Sequence, residues 1–173
     1  MVKKKCVFLD RDGVINRSFV FNRKPFAPIF FNEFIFLPKV RVSIELLKKK
    51  YLVIVVTNQP DISKGKLKLK EFNLMKNKIY KVLKVDDLFF CPHSKYDNCN
   101  CRKPGLGMFN KAIKKYNIDI KNSYMIGDRK SDIDAGNSLK CKTIFIDKKY
   151  SEKKPINYHY KCKSLYNALK YIK

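Results

Sequence analysis

Tryptophan is absent from the 173 residues, a gap of little consequence in a chain with 13 Phe and 10 Tyr. Arginine is the more informative shortage. It occurs only at positions 11, 17, 23, 41, 102 and 129, so 33 of the 39 basic residues are lysine. Faces built to grip phosphates or bases draw on arginine for its bidentate fork, whereas the lysines here are spread over predicted helices, loops and both ends of the chain. Acidic residues number only 15, and the formal charge reaches +24. That charge reads first as a lysine-rich solvated surface, with nucleic-acid or acidic-surface binding as the sharper alternative; either would steer a small anion inward. Long apolar runs are missing too. The run after Lys3-Lys4-Lys5 stops at Leu9, too short for an export signal. Nothing later approaches a membrane span, so a cytoplasmic protein without a membrane partner is expected.

At this length a single domain, residues 1–173, with one sizeable core is expected. The chain is organised around Cys6-Val7-Phe8-Leu9-Asp10-Arg11-Asp12-Gly13-Val14. Val7, Phe8 and Leu9 read as a strand buried on both faces, as at the centre of a parallel sheet. Side chains at i and i+2 of an extended segment point the same way, so Asp10 and Asp12 aim at one small volume beyond the strand's carboxyl end. Open α/β sheets bind ligands there. Gly13 lets the chain turn sharply away. Carboxylates this close repel, which favours a shared hard cation or one protonated member. Alone, Asp-Arg-Asp-Gly would pass for a polar turn. Repetition separates the two readings: the apolar runs at 51–56, 123–126 and 143–146 end in Thr57-Asn58-Gln59, Gly127-Asp128-Arg129 and Asp147.

Between these strands, Val40, Ile44 and Leu47 mark a helix over 40–50, Phe72, Met75, Ile79 and Val82 a second apolar stripe, and Met108, Ala112, Ile113 and Tyr116 a third. Leu165, Leu169 and Ile172 suggest a short closing helix. Residues 14–39 form a long connection with seven Phe and three Pro, read as irregular chain ordered by packing. Asn16 and Arg17 fall close enough to the first carboxylates to touch a ligand, or form a solvated turn. The Lys-rich run 148–154 reads as a surface loop. Cys6, Cys141 and Cys162 read as small core residues.

The remaining cysteines differ. Cys91, Cys99 and Cys101 share an eleven-residue stretch with His93, after a short strand at 88–90. Three thiols and an imidazole make a Cys₃His set that suits a closed tetrahedral Zn²⁺ site, and such a local cluster fits a reducing compartment; a disulfide or free thiols are the alternatives. Four protein ligands would leave no open position for catalysis.

Asp10-x-Asp12-Gly13, Thr57-Asn58, Lys103 and Gly127-Asp128-x-x-x-Asp132, in that order, resemble the four motifs of the haloacid dehalogenase superfamily of phosphohydrolases, over nearly the whole chain. Thr57-Asn58-Gln59-Pro60-Asp61-Ile62 and Cys101-Arg102-Lys103-Pro104 are similar to the group holding heptose 1,7-bisphosphate and histidinol-phosphate phosphatases, whose zinc-binding loop sits at the same place. The resemblance implies a Rossmann-like parallel sheet flanked by helices, and the length leaves no room for a large cap domain. It implies Mg²⁺ held by the Asp10 carboxylate, the Asp12 main-chain carbonyl and Asp128. Asp10 is then the nucleophile, Asp12 the general acid and base, and Thr57 and Lys103 the holders of the phosphoryl oxygens, with Asn58 and Arg102 binding substrate. Asp132 either orients Lys103 or a metal-bound water, or is an ordinary first-turn acid. The family often has Lys-Pro-x-Pro-Gly-Met where this chain has Lys103-Pro104-Gly105-Leu106-Gly107-Met108, a change that should loosen the turn.

The expected reaction is hydrolysis of a small phosphate monoester through an aspartyl phosphate. A heptose bisphosphate is the first candidate, from the stretches around Thr57 and Pro25. Histidinol phosphate is the runner-up, since the five-residue gap between His93 and Cys99 resembles that group, and another sugar phosphate is also open. The rival from another class is a nucleic-acid-binding zinc protein. Intact carboxylates facing an anionic ligand count against it, and a monomer without nucleic acid is expected.

Overall fold

The computed structural model describes residues 2–173. Its centre is β1 (Cys6–Leu9), all four residues of which are buried. Enclosing a Phe or Leu side chain stabilises by about 1.5–3 kcal/mol, which gives this short strand its central place. β4 (Leu52–Asn58) lies parallel on one side of β1 with β5 (Asp87–Cys91) beyond it. On the other side run β6 (Tyr124–Gly127), β7 (Lys142–Ile146) and β8 (Tyr160–Cys162), giving a six-stranded parallel sheet ordered β5-β4-β1-β6-β7-β8. The chain builds outward from β1 first one way, then the other, so the crevice at the carboxyl end of β1 is a topological switch point.

Alternation along the strands divides the core into two layers. Val7, Leu9, Val53, Val55 and Ile126 face a layer completed by α1 (Val40–Leu47), α3 (Leu69–Leu83) and α6 (Leu165–Ala168). Phe8, Ile54, Val56 and Met125 face the opposite layer, closed by α4 (Gly107–Tyr116) and α5 (Lys130–Ser138), with Phe8 set edge-on to Phe109 at 5.1 Å. Among the described residues no helix is long and apolar enough to cross a membrane.

The structure corrects several details. The buried stripe of α3 is Phe72, Met75, Ile79 and Leu83, with Val82 only half-buried, because the last step is four residues rather than three. Residues 14–39 hold a hairpin, β2 (Phe19–Phe21) with β3 (Lys24–Phe26), then a 3₁₀ turn at Phe31–Glu33. Packing orders only part of it: Phe34 is buried, whereas Phe19, Phe21, Phe26 and Phe30 are exposed. Cys6 and Cys141 are core residues as expected, but Cys162 is half-buried because β8 is the sheet's edge. Thr57 and Asn58 lie within β4, and the helix after them is the short α2 (Pro60–Ser63). The turn after Lys103 is tight. Gly105 N–H donates to Arg102 O at 2.7 Å and Gly107 N–H to Asn100 O at 2.9 Å, leaving no space for a Cβ at either glycine.

Candidate active site

The carboxyl ends of β1, β4 and β6 meet in a cleft of about 300 Å³ lined by Asp10, Asp12, Asn58, Arg102, Lys103 and Asp132, among others. Asp10 is anchored by its N–H to Ile126 O at 3.0 Å. Its Oδ1 accepts a hydrogen bond from Lys103 Nζ at 2.7 Å. The other two Nζ contacts are Val56 O and Asp132 Oδ1, each at 2.7 Å, so the ammonium is fully used. Burial alone would lower the Lys103 pKa, but Asp10 and Asp132 raise it above the usual lysine value. Asp132 Oδ2 meanwhile accepts the Arg129 N–H at 3.0 Å. Both Asp132 oxygens are therefore engaged, one on the Lys103 ammonium and one on the Arg129 N–H.

Asp128 is different. It is 4% exposed, and neither oxygen has a hydrogen-bond partner of ordinary geometry. Burial, then the charges of Asp10 and Asp132, push its pKa well above the carboxylate range, while Arg129 and the nearby Tyr150 hydroxyl pull it down. Burial likewise pushes Asp10 up to about 6, opposed by Lys103 and reinforced by Asp132 and Asp12. One oxygen from each of Asp10, Asp128 and Asp132 lies within 4.8 Å of the others. Orphaned buried carboxylate oxygens in an all-oxygen set fit a hard divalent cation such as Mg²⁺. Both Asp132 oxygens are engaged elsewhere, so Asp10 and Asp128 are the carboxylates that would fit such an ion.

Asp12 departs from the expected mutual repulsion because it has its own cation. Arg11 Nε and a terminal nitrogen donate to its carboxylate at 2.9–3.2 Å, Asn16 donates at 2.9 Å and Gln59 at 2.7 Å. Burial would raise the Asp12 pKa, but the Arg11 charge and these hydrogen bonds hold it below the usual range. Arg11 is itself fully buried, with its guanidinium 5.6 and 5.8 Å from the ring centres of Phe34 and Phe72. Arg11 and Gln59 stand inside the motifs at 10–13 and 57–62, where nothing in the sequence marks them as partners of Asp12. Asn16 touches the site through Asp12.

Thr57 is buried and its hydroxyl accepts from Gln59 Nε2 at 2.8 Å, leaving its own proton to donate. Asn58 lines the cleft, but both ends of its amide also grip the Lys103 backbone, accepting from its N–H at 3.0 Å and donating to its O at 3.2 Å. Arg102 lines the cleft and donates to His93 O at 3.1 Å.

The lysine-rich loop is more than surface. Tyr150 turns inward toward Asp128, Ser151 N–H donates to Arg23 O at 2.9 Å, and Arg129 joins Glu152 at 3.4 Å and Pro25 O at 3.1 Å. The loop is thereby fastened to the hairpin at the cleft's rim.

Cys91, His93, Cys99 and Cys101 converge behind Arg102, with donor-atom separations of 3.2–3.6 Å and no disulfide. Burial first, then the neighbouring thiols, pushes Cys91 up to about 12. At Cys99 burial opposes ionisation, but the Arg102 amide and neighbouring thiols lower the pKa to about 7. Those separations are close to the edges of a tetrahedron with metal bonds of about 2.0–2.3 Å, so the donor set is compatible with zinc.

A parallel sheet that delivers two buried aspartates and a buried lysine paired with one of them to one crevice is the architecture of a haloacid dehalogenase-like phosphohydrolase. The family description HAD-hydrolase-like matches residues 100–168. A D-glycero-alpha-D-manno-heptose-1,7-bisphosphate 7-phosphatase of Campylobacter jejuni is 34% identical, over 99% of this chain and 98% of its own. The corresponding beta-anomer enzyme of Helicobacter pylori J99 is 33% identical, over 98% and 97%. A solved structure of D,D-heptose 1,7-bisphosphate phosphatase from B. bronchiseptica, complexed with magnesium and phosphate, superposes with a TM-score of 0.77 at 25% identity, covering 96% of this chain and 99% of that one. The chain thus belongs to the heptose-1,7-bisphosphate 7-phosphatase family of haloacid dehalogenase-like hydrolases.

Proposed function

We propose that the protein is a Mg²⁺-dependent phosphatase that removes the 7-phosphate of a D-glycero-D-manno-heptose 1,7-bisphosphate. The observation that carries this reading is the pairing of buried Asp10 with Lys103 beside the unpartnered Asp128 carboxylate, in a chain whose full-length relatives bear that enzyme's name. Asp10 attacks phosphorus, forming an Oδ–P bond as the bond from phosphorus to the sugar oxygen breaks. Asp12 gives its proton to the departing oxygen. The incoming phosphate's negative charge favours that proton, offsetting the Arg11 clamp that keeps Asp12 ionised in the free site. Asp12 then takes a proton from water as the water oxygen attacks the aspartyl phosphate, releasing inorganic phosphate and restoring Asp10. Thr57 donates to an equatorial phosphoryl oxygen, while Lys103, whose three protons are taken in the free site, stabilises the phosphoryl group through its buried positive charge, and Asp132 holds it in place. Mg²⁺, held by Asp10, Asp128 and the Asp12 main-chain carbonyl, supplies electrostatic stabilisation of the transferring group when bound.

Zn²⁺ on Cys91, His93, Cys99 and Cys101 is structural in this account and fixes Arg102, which binds the substrate beyond the phosphoryl group, as Asn58 also does. The protein acts as a cytoplasmic monomer without nucleic acid, its +24 charge being a solvated surface. A comparison of kcat/KM for heptose 1,7-bisphosphate and histidinol phosphate tests the substrate. The heptose ester should be preferred by at least about 100-fold, given the pocket discrimination polar contacts provide; preference for histidinol phosphate overturns the assignment.

A further inference from the structure

Tyr150 stands beside Asp128 and has no part in the mechanism above. A Cβ on Gly13 would lie 1.8 Å from Asp128 Oδ2 and 3.1 Å from Tyr150 Oη, so the phenol and the carboxylate share one corner. Tyr150 does not line the cleft. It lies behind Asp128 in a separate cavity of about 10 Å³, shared with Arg129, Lys148 and Glu152 and too small for a sugar or a phosphate group. Its hydroxyl therefore reaches the reaction only through Asp128.

The loop holds the ring there through both of its neighbours. Lys149, at φ 61°, turns the chain; its N–H donates to Asp147 Oδ1 at 2.9 Å and its O accepts from the Arg23 guanidinium at 3.4 Å. Ser151 N–H donates to Arg23 O at 2.9 Å. One residue of the hairpin thus clamps the loop before and after Tyr150. Burial, then the Asp128 charge, push the Tyr150 pKa up, so the phenol keeps its proton at neutral pH, while Tyr150 pulls the Asp128 pKa down as a donor does. Ser18, which lines the cleft, acts on the same hydroxyl as a donor, and this leaves the phenol proton to Asp128.

We propose that Tyr150 is a positioning residue for the metal-binding carboxylate: its hydroxyl holds one Asp128 oxygen by a hydrogen bond, so that the other faces the divalent cation. This rests on the phosphatase reading above and deepens it, giving the ion site a partner outside its ligands. A carboxylate oriented before the ion arrives loses less freedom on binding it, and groups that hold a ligand in this way are worth about 10- to 100-fold in metal affinity. Through Arg23, that support is fastened to the hairpin at the cleft's rim.

The test is Tyr150→Phe, which keeps the ring and removes only the hydroxyl. Binding of Mn²⁺, the probe for the Mg²⁺ site, is followed by electron paramagnetic resonance on the whole chain, freed of phosphate and loaded with Zn²⁺ so that the thiols are occupied. The Kd for Mn²⁺ should rise about 10- to 100-fold in the variant. The Mg²⁺ concentration for half-maximal phosphate release should rise with it, while kcat at saturating Mg²⁺ stays within about threefold of wild type. A Kd within about twofold of wild type, or a fall in kcat that saturating Mg²⁺ does not restore, overturns the positioning role. The two proposals fail separately. An unchanged Kd in the variant, with Mg²⁺-dependent hydrolysis by wild type, rejects the positioning role alone. Mn²⁺ binding that Asp128→Asn abolishes and Tyr150→Phe weakens, in a wild type that hydrolyses no phosphate ester, rejects the phosphatase reading alone.

Discussion

Gly13 and Asp128 occupy the same corner of the site: a Cβ on Gly13 would lie 1.8 Å from Asp128 Oδ2. The backbone of Gly13, at φ +83°, also falls where L side chains are disfavoured. One glycine thus permits both the turn away from β1 and the close approach of the buried carboxylate that follows β6.

Gly13→Ala should therefore cost about 1–2 kcal/mol of stability from the backbone alone, and displace Asp128 besides. Because misplacement of about 1 Å costs on the order of 100-fold in rate, kcat/KM should fall at least that far, and the Mg²⁺ concentration for half-maximal activity should rise. Steady-state kinetics across a Mg²⁺ titration provide the check, and activity within threefold of wild type contradicts the geometry.

Asp147 makes a separate, pH-dependent contribution at the end of β7. Burial would raise its pKa, but the Lys149 amide at 2.9 Å and the Lys161, Lys154 and Lys149 side chains lower it to about 2. A carboxyl depressed in the folded state stabilises above its unfolded pKa of about 4, and loses that contribution as pH falls from there toward the folded value. Since the lysines are solvent-screened, Asp147→Asn should cost roughly 1 kcal/mol at neutral pH. In thermal melts the gap between variant and wild type should close as pH falls through this window and shrink in high salt; a gap independent of both contradicts the account.

For the Cys/His loop, a strong zinc chelator should lower the melting temperature and abolish activity that Mg²⁺ alone does not restore, whereas added Zn²⁺ does. The reason is that this loop holds Arg102 through His93 O and leads directly into Lys103. Metal analysis before and after chelation checks it; full activity in zinc-free protein contradicts a structural role.

Asp10, Asp128 and Lys103 were legible in the sequence because each combines an apolar strand or a local cluster with a motif in the right order. The Cys/His set was legible for the same reason, its four members lying within eleven residues. Arg11 was hidden although it stands between the two motif carboxylates. Its burial comes from Phe34 and Phe72, which only the folded chain brings beside it. The hairpin at 19–26 was hidden because its turn uses Asn22 and Arg23 at φ 48° and 59°, without the glycine that usually announces such a turn. Tyr150 looked like one residue of a solvated lysine run, whereas the folded chain ties its neighbour Ser151 to Arg23 and brings the Tyr150 hydroxyl to Asp128.

The most direct measurement is phosphate release from D-glycero-D-manno-heptose 1,7-bisphosphate with and without Mg²⁺, by wild type and Asp10→Asn. The account predicts Mg²⁺-dependent release of the 7-phosphate by wild type, and at least about a 10⁴-fold lower rate in a variant that is as stable as wild type, since the covalent step is lost. Comparable release by Asp10→Asn, or none by folded, metal-loaded wild type, would contradict it.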